Sequence, residues 1–139
     1  MDRTRLHHVG IVLPNVEQAN LLIDLLNLEV DYTGYVAPYD TDVIFTKYHD
    51  KGESPLEFII PKSGVLTRYN NGKGGIHHIC FEVEDIEAVR REYEAKGFEL
   101  LEEKAVPTLS HLVANFLRPR NTAGILVELI QTVGPVIRD

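Results

Sequence analysis

Four of the chain's six histidines fall in two adjacent pairs, His7–His8 in "LHHVGI" and His77–His78 in "IHHICF". Two glutamates stand inside short apolar runs, Glu57 in "PLEFII" and Glu128 in "LVELIQ". A carboxylate in the middle of an apolar strand is costly to bury unless it is paired or bound to a metal. Imidazole nitrogen and carboxylate oxygen together make a mixed donor set suited to a borderline divalent ion. The histidine pairs lie 70 residues apart and the glutamates 71, a difference that one loop residue absorbs. A lone strand histidine is more often a packing or surface residue than a ligand, and a lone strand glutamate often faces solvent. Their recurrence at one spacing is what favours a metal site built from His8, Glu57, His78 and Glu128. Zinc, cobalt, nickel, manganese or iron would each accept this set, with two further positions left for water or substrate oxygens.

The elements that must position these residues repeat as well. At an offset of 70, Leu6 falls on Ile76, Val9 on Ile79, Asn15 on Asp85, Val16 on Ile86 and Glu17 on Glu87. Internal self-similarity of this kind is tested before any fold is assigned. Each half opens with a strand-like alternation, residues 6–13 and 76–83. A helix follows each one, with Asn15 and Asp85 as N-caps and Asn15 with Gln18 resembling a capping box. Val16, Ala19, Ile23 and Leu26 are the expected apolar stripe of the first helix, and Ile86, Val89 and Tyr93 that of the second. Gly97 is a natural helix stop.

Short β-type runs then return: "EVDYTGYV", "TDVIFTKY" and "LEFIIP" in the first half, "FELLEEKAV", "HLVANFLRP" and "ILVELIQ" in the second. Turn signals, "HDKGES" and "PRNTAG", separate the last two runs of each half. The chain therefore reads as β-α-β-β-β twice, an α+β single domain over 1–139 with modules at about 5–61 and 74–131. The connector, residues 62–75, is expected to hold one short helix before "NNGKGG", a hinge without the spacing of a phosphate loop.

Alternation along the first strand of each half sorts the two histidines of each pair. His7 shares a face with the bulkier Val9 and Ile11, and His77 with Ile79 and Phe81. Those faces should pack on the helices, which leaves His8 and His78 on the other face as ligands. Cys80 shares the His78 face without an evident partner base, so packing is the expected role.

Composition narrows the partners. Net charge is −7 and the longest basic cluster is "RPR" at 118–120, which argues against nucleic acid. No apolar run reaches the length of a membrane span, so no membrane partner is expected. The first ten residues lack an apolar export core and the chain has one cysteine, which leads to the expectation of a cytoplasmic protein.

The stretches "LHHVGI", "LEFIIP", "GIHHICFEVEDI" and "GILVELIQ" resemble the vicinal oxygen chelate (glyoxalase-type) superfamily over about residues 5–131. Within it the nearest likeness is to the methylmalonyl-CoA epimerases. The resemblance implies paired βαβββ modules forming a partly closed sheet around a metal cleft, the fold of glyoxalases and bleomycin-resistance proteins. It places the ligands on His8, Glu57, His78 and Glu128. It also implies a metal-dependent epimerase or isomerase acting through an enolate on a small molecule, with a CoA thioester as substrate and a homodimer as the common assembly.

Glu128 would take the α-proton. Where such epimerases carry a Pro-Glu-Gln-Gly-like stretch with the second base, this chain reads "YVAPYDTDV", so Asp40 is a substitute candidate beside Glu57. The usual turn before the last strand is replaced by "RPRNTAG", in which Arg118 and Arg120 either meet an anionic CoA phosphate or form a solvated turn. Lactoylglutathione lyase is the rival; its usual arginine four residues after the first ligand is Val12 here. A ring-cleaving dioxygenase would leave Glu57 as an unwanted ligand, and a non-catalytic binding protein on this fold would not need all four.

Overall fold

A computed structural model describes residues 5–48 and 54–138. The turn expected over 49–54 lies outside the described residues except for Ser54. Two compact units emerge: one built from His8–His77 that takes in the end of the chain from Ile137, the other from His78–Val136 together with the start of the chain through His7.

In the first unit the order is β1 (Arg5–Val12), α1 (Val16–Leu25), β2 (Val30–Val36), β3 (Thr41–Thr46) and β4 (Leu56–Pro61). Its strands lie in the order β2-β3-β4-β1, with β1 parallel to β4 and the other pairs antiparallel. The second unit repeats this with β5 (Gly75–Glu82), α2 (Ile86–Ala95), β6 (Val106–Pro107), β7 (Leu112–Leu117) and β8 (Val127–Thr132). Its order is β5-β8-β7-β6, and β5 is parallel to β8. Two βαβββ modules are thus present, as the sequence pattern predicts.

The helix boundaries follow from local chemistry. The Asn15 carboxamide accepts the Gln18 N–H at 2.9 Å, and Asp85 accepts from Glu87 and Ala88, both at 3.1 Å. Each satisfies donors that a helix start leaves orphaned. At the C-termini the repeat continues where the sequence hides it. Gly97 (φ 89°) ends α2, its N–H bonding the Glu94 carbonyl at 3.0 Å while the Phe98 N–H reaches Tyr93 at 2.9 Å. Asn27 (φ 54°) ends α1 in the same way, with bonds of 3.2 Å to Asp24 and, from Leu28, 2.9 Å to Ile23. Both are left-handed caps, one using glycine and the other asparagine.

One apolar stripe differs from expectation. In α1, Ala19 is buried and Leu22 and Ile23 pack against Leu13 and Phe58, but Val16 and Leu26 stand exposed at the helix ends. The face that meets the sheet is therefore narrower than the predicted stripe. In α2, Ile86 and Val89 are buried and Tyr93 packs on them, as predicted.

The predicted strand over "FELLEEKAV" is also mostly absent. Residues 101–104 bend, and pairing there is reduced to a bridge from Leu100 to Leu117 and the two residues of β6. The run Glu102-Glu103-Lys104 lacks the apolar alternation that would bury one face. Asn115 replaces the ladder instead: its side-chain amide accepts the Glu102 N–H and donates to the Glu102 carbonyl, each at 2.9 Å.

The connector forms a 3-10 segment, Val65–Gly72, broken by left-handed Asn70 and Asn71. Gly74 (φ 78°) then passes so close to β1 that a Cβ there would stand 2.1 Å from the Val12 carbonyl oxygen. That contact makes the predicted hinge a fixed crossing rather than a loose link. The end of the chain is held as far as Arg138, whose guanidinium donates to both Asp31 oxygens at 2.6 and 3.1 Å.

Candidate metal centre

Strand register decides which histidine of each pair faces the helices. Ile11 pairs with Phe58 on β4, and both belong to the cluster beneath α1. Alternation puts His8 on the other side. His8 there is only 2% exposed, and it shares its face with Gly10, Val12, Phe45, Glu57 and Ile59. In the second unit Phe81 and Leu129 lie under α2, whereas Cys80 and Ile130 form a separate cluster on the opposite face. His78 shares that opposite face with Cys80, whose register partner is Glu128. Cys80 is fully buried among Leu112, Ala114 and Ile130.

Each unit then presents one buried histidine–glutamate pair. His8 Nε2 lies 3.2 Å from Glu57 Oε1, and His78 Nε2 lies 3.2 Å from Glu128 Oε1. All four residues are buried. Two ligands at right angles on one ion, with bonds of about 2.1 Å, stand roughly 3 Å apart. The observed spacing and the nitrogen–oxygen chemistry therefore fit adjacent ligands of a divalent ion in each pair. A buried carboxylate also needs such a partner to offset its desolvation.

Aromatic rings wall the first pair. The Phe45 ring meets the His8 ring edge-on at 5.1 Å and 87°, and Tyr32 stacks on Phe45 at 4.8 Å. Phe45 is the register partner of Glu57, and Phe116 is the register partner of Glu128. These two phenylalanines are 71 residues apart, the same offset as the glutamates. Sequence reasoning missed them, although that offset was the signal that could have found them.

Three other predicted residues lie elsewhere. Asp40 ends a short 3-10 turn in a left-handed conformation at φ 47°. It accepts the Tyr35 hydroxyl on one oxygen and the Ser63 hydroxyl on the other, both at 2.6 Å. Those bonds, Ser63 foremost, hold its carboxyl below the usual range. Arg118 caps the 3-10 turn Pro119–Asn121, half-buried and 3.8 Å from Glu99; Arg120 is exposed on that turn.

A family model described as the Glyoxalase/Bleomycin resistance protein/Dioxygenase superfamily matches residues 7–116. The chain belongs to that superfamily. Among its relatives, the ethylmalonyl-CoA/methylmalonyl-CoA epimerase of Cereibacter sphaeroides is 37% identical, over 91% of this chain and 97% of its own. The mitochondrial methylmalonyl-CoA epimerase of Mus musculus is 31% identical, over 91% of this chain and 72% of its own. The crystal structure of methylmalonyl-CoA epimerase from Mycobacterium tuberculosis shares the fold, with a TM-score of 0.84 at 21% identity, over 94% of this chain and 88% of its own.

This superfamily membership and the buried His/Glu pairs bear out the expectation of a metal-dependent isomerase of the methylmalonyl-CoA epimerase kind. The cytoplasmic expectation is overturned, because the mouse, bovine and human relatives are mitochondrial. The missing apolar export core never bore on that choice, since mitochondrial addresses are amphipathic and basic rather than apolar. Among the described residues, no helix is long and apolar enough to cross a membrane.

Proposed function

We propose that this chain epimerises the α-carbon of a 2-substituted malonyl-CoA thioester, with His8, Glu57, His78 and Glu128 as the ligands of one divalent ion. The observation that carries the reading is the matched pair of buried His–Glu contacts at equivalent positions of the two repeats. The full-length likeness to the Cereibacter sphaeroides epimerase supplies the substrate class. Zinc, cobalt, nickel, manganese and iron all suit the donors. Such an ion, when bound, supplies Lewis-acid polarisation of the thioester carbonyl and so lowers the cost of removing the α-proton.

The protein's own groups handle the proton. A carboxylate has two oxygens, so Glu128 can keep one for ligation and use the other as the base at the α-carbon. Inversion requires a proton to return to the opposite face of the planar enolate, and Glu57, the equivalent carboxylate, is assigned that step. Asp40 is the least suited of the three candidates, because both its oxygens already take hydroxyl donors and its basicity is lowered. Phe45 and Tyr32 keep water from the His8–Glu57 side. Arg118 and Arg120 are assigned to the CoA phosphates.

The rival lyase reading lacks its cation: Val12 is a buried aliphatic residue, 2% exposed. Proton exchange in heavy water tests the choice. Metal-loaded protein given methylmalonyl-CoA should incorporate deuterium at the α-carbon. Conversion of the methylglyoxal–glutathione adduct alone would reverse the assignment, and inactivity on both would reject both substrates.

A further inference from the structure

A cation and two aromatic rings line up behind the buried pair of the first unit. Register sets Tyr32 of β2 opposite Phe45 of β3, Phe45 opposite Glu57 of β4, and Glu57 opposite Gly10 of β1, two residues along from His8. The rings touch in sequence. Tyr32 stacks on Phe45 at 4.8 Å and 16°, and Phe45 meets the His8 imidazole at 5.1 Å and 87°. At the outer end the Arg138 guanidinium lies over the Tyr32 ring, 5.9 Å from its centroid. That guanidinium is itself anchored, donating to both Asp31 oxygens at 2.6 and 3.1 Å. Register shifts by one between Val30 and Tyr32, so Asp31 is an extra residue of β2, the edge strand. Such a bulge bends the strand and re-aims its side chains. The repeat does not carry this arrangement into the second unit. Phe116 stands opposite Glu128 as Phe45 does opposite Glu57, but residues 101–104 bend where the first unit has β2.

We propose that Arg138 is a positioning residue for His8, acting through the Tyr32–Phe45 stack. A histidine that is to meet an ion must keep its ring plane, and groups behind the ligand fix that plane. The edge-on contact with Phe45 orients the imidazole, and the stack on Tyr32 holds Phe45 in turn. A cation over the Tyr32 ring is attracted to the ring's π-face and holds the outermost member against the stack. Tyr32 and Phe45 are buried, whereas the Arg138 side chain is 55% exposed. The solvent-facing end of this row can therefore be altered without emptying the core. The proposal rests on the ligand reading of His8 only for what the imidazole is held to do; the row of contacts stands without an ion.

NMR of the metal-free protein tests the contacts. Arg138→Gln should shift the His8 ring-proton signals, which sense the Phe45 ring, and speed the flips of the Tyr32 and Phe45 rings. Arg138→Lys keeps the cation and should fall between that variant and wild type. Zinc titration in competition with a chromophoric chelator tests the consequence. Arg138→Gln should weaken zinc about threefold. Phe45→Leu, which removes the ring and keeps apolar bulk, should weaken it about tenfold. Asn15→Ala removes the α1 cap of the same unit, so it lowers stability and should move neither readout. Arg138 is exposed, so its variants keep the test valid if Phe45→Leu fails to fold. Wild-type protein that binds no zinc would remove the ligand reading, and the His8 signals of metal-free Arg138→Gln would still decide the positioning. Unchanged His8 signals in Arg138→Gln would overturn the proposal. So would unchanged affinity in protein that does bind zinc, or effects no larger than those of Asn15→Ala.

Discussion

At the residue scale the sharpest consequence concerns the second histidine of each pair. His78 is buried against Glu128, whereas His77 sits half-exposed at the edge of the Tyr69 ring, 4.9 Å between centroids. His78→Ala should therefore abolish stoichiometric metal binding, and His77→Ala should largely retain it. Metal analysis of the two purified variants decides this, and the reverse pattern would refute the ligand assignment. Glu128→Gln should slow α-proton exchange by about a hundredfold or more, the usual loss when a positioned base is removed. Asp40→Asn, by contrast, should leave exchange within a few-fold of wild type, since that carboxylate serves Tyr35 and Ser63. A collapse of exchange in the Asp40 variant would move the second base to the 3-10 turn.

At the element scale the repeated strand–helix opening depends on its caps and on one crossing. Asp85 satisfies two N–H groups at the start of α2, so Asp85→Ala should cost about 1 kcal/mol in urea denaturation. Gly74→Ala should cost more than that, because it combines a positive φ with a Cβ driven into the Val12 carbonyl. Wild-type stability in that variant would mean the crossing gives way easily. Much of this scale was legible in the residues: Asn15, Asp85 and Gly97 are local signals acting over a few positions. The α1 cap at Asn27 was not, since asparagine is a weaker marker of left-handed backbone than glycine. The missing strand over residues 101–104 was not legible either, because its ladder bonds are replaced by the Asn115 side chain from a distant strand.

For the whole molecule, two conditions should move stability. A resident divalent ion that binds only the folded chain contributes about 2.7 kcal/mol when free metal stands at a hundred times its Kd. Dialysis against a chelator should lower Tm by several degrees, and stoichiometric ion should restore it; an unchanged Tm would argue against a resident metal. The second condition is pH. The hydrogen bond from Arg138, opposed by partial burial, holds the Asp31 carboxyl below its ordinary value of 3.8. A group whose folded pKa is depressed adds stability above its unfolded pKa and loses it as pH falls through the folded value. The stability advantage of wild type over Asp31→Asn should therefore be constant from neutral pH to about 5 and shrink below about 4. Denaturation curves across that range would show a flat difference if the tail pair is idle.

The duplication, the helix starts and the identity of the two His–Glu pairs could be read from sequence alone, because each rests on residue type at a fixed local spacing. The face assignment of His8 and His78 followed from alternation, and strand register then tied each to its glutamate. Only tertiary structure decided what depends on contacts between residues far apart in the chain. Phe45 and Phe116 come opposite the two glutamates through pairing of neighbouring strands. Leu117 bridges to Leu100 because β7 ends against the segment following α2. Local chemistry writes strands and caps into the sequence, whereas the walls around a site are set by register and packing, which no single segment encodes.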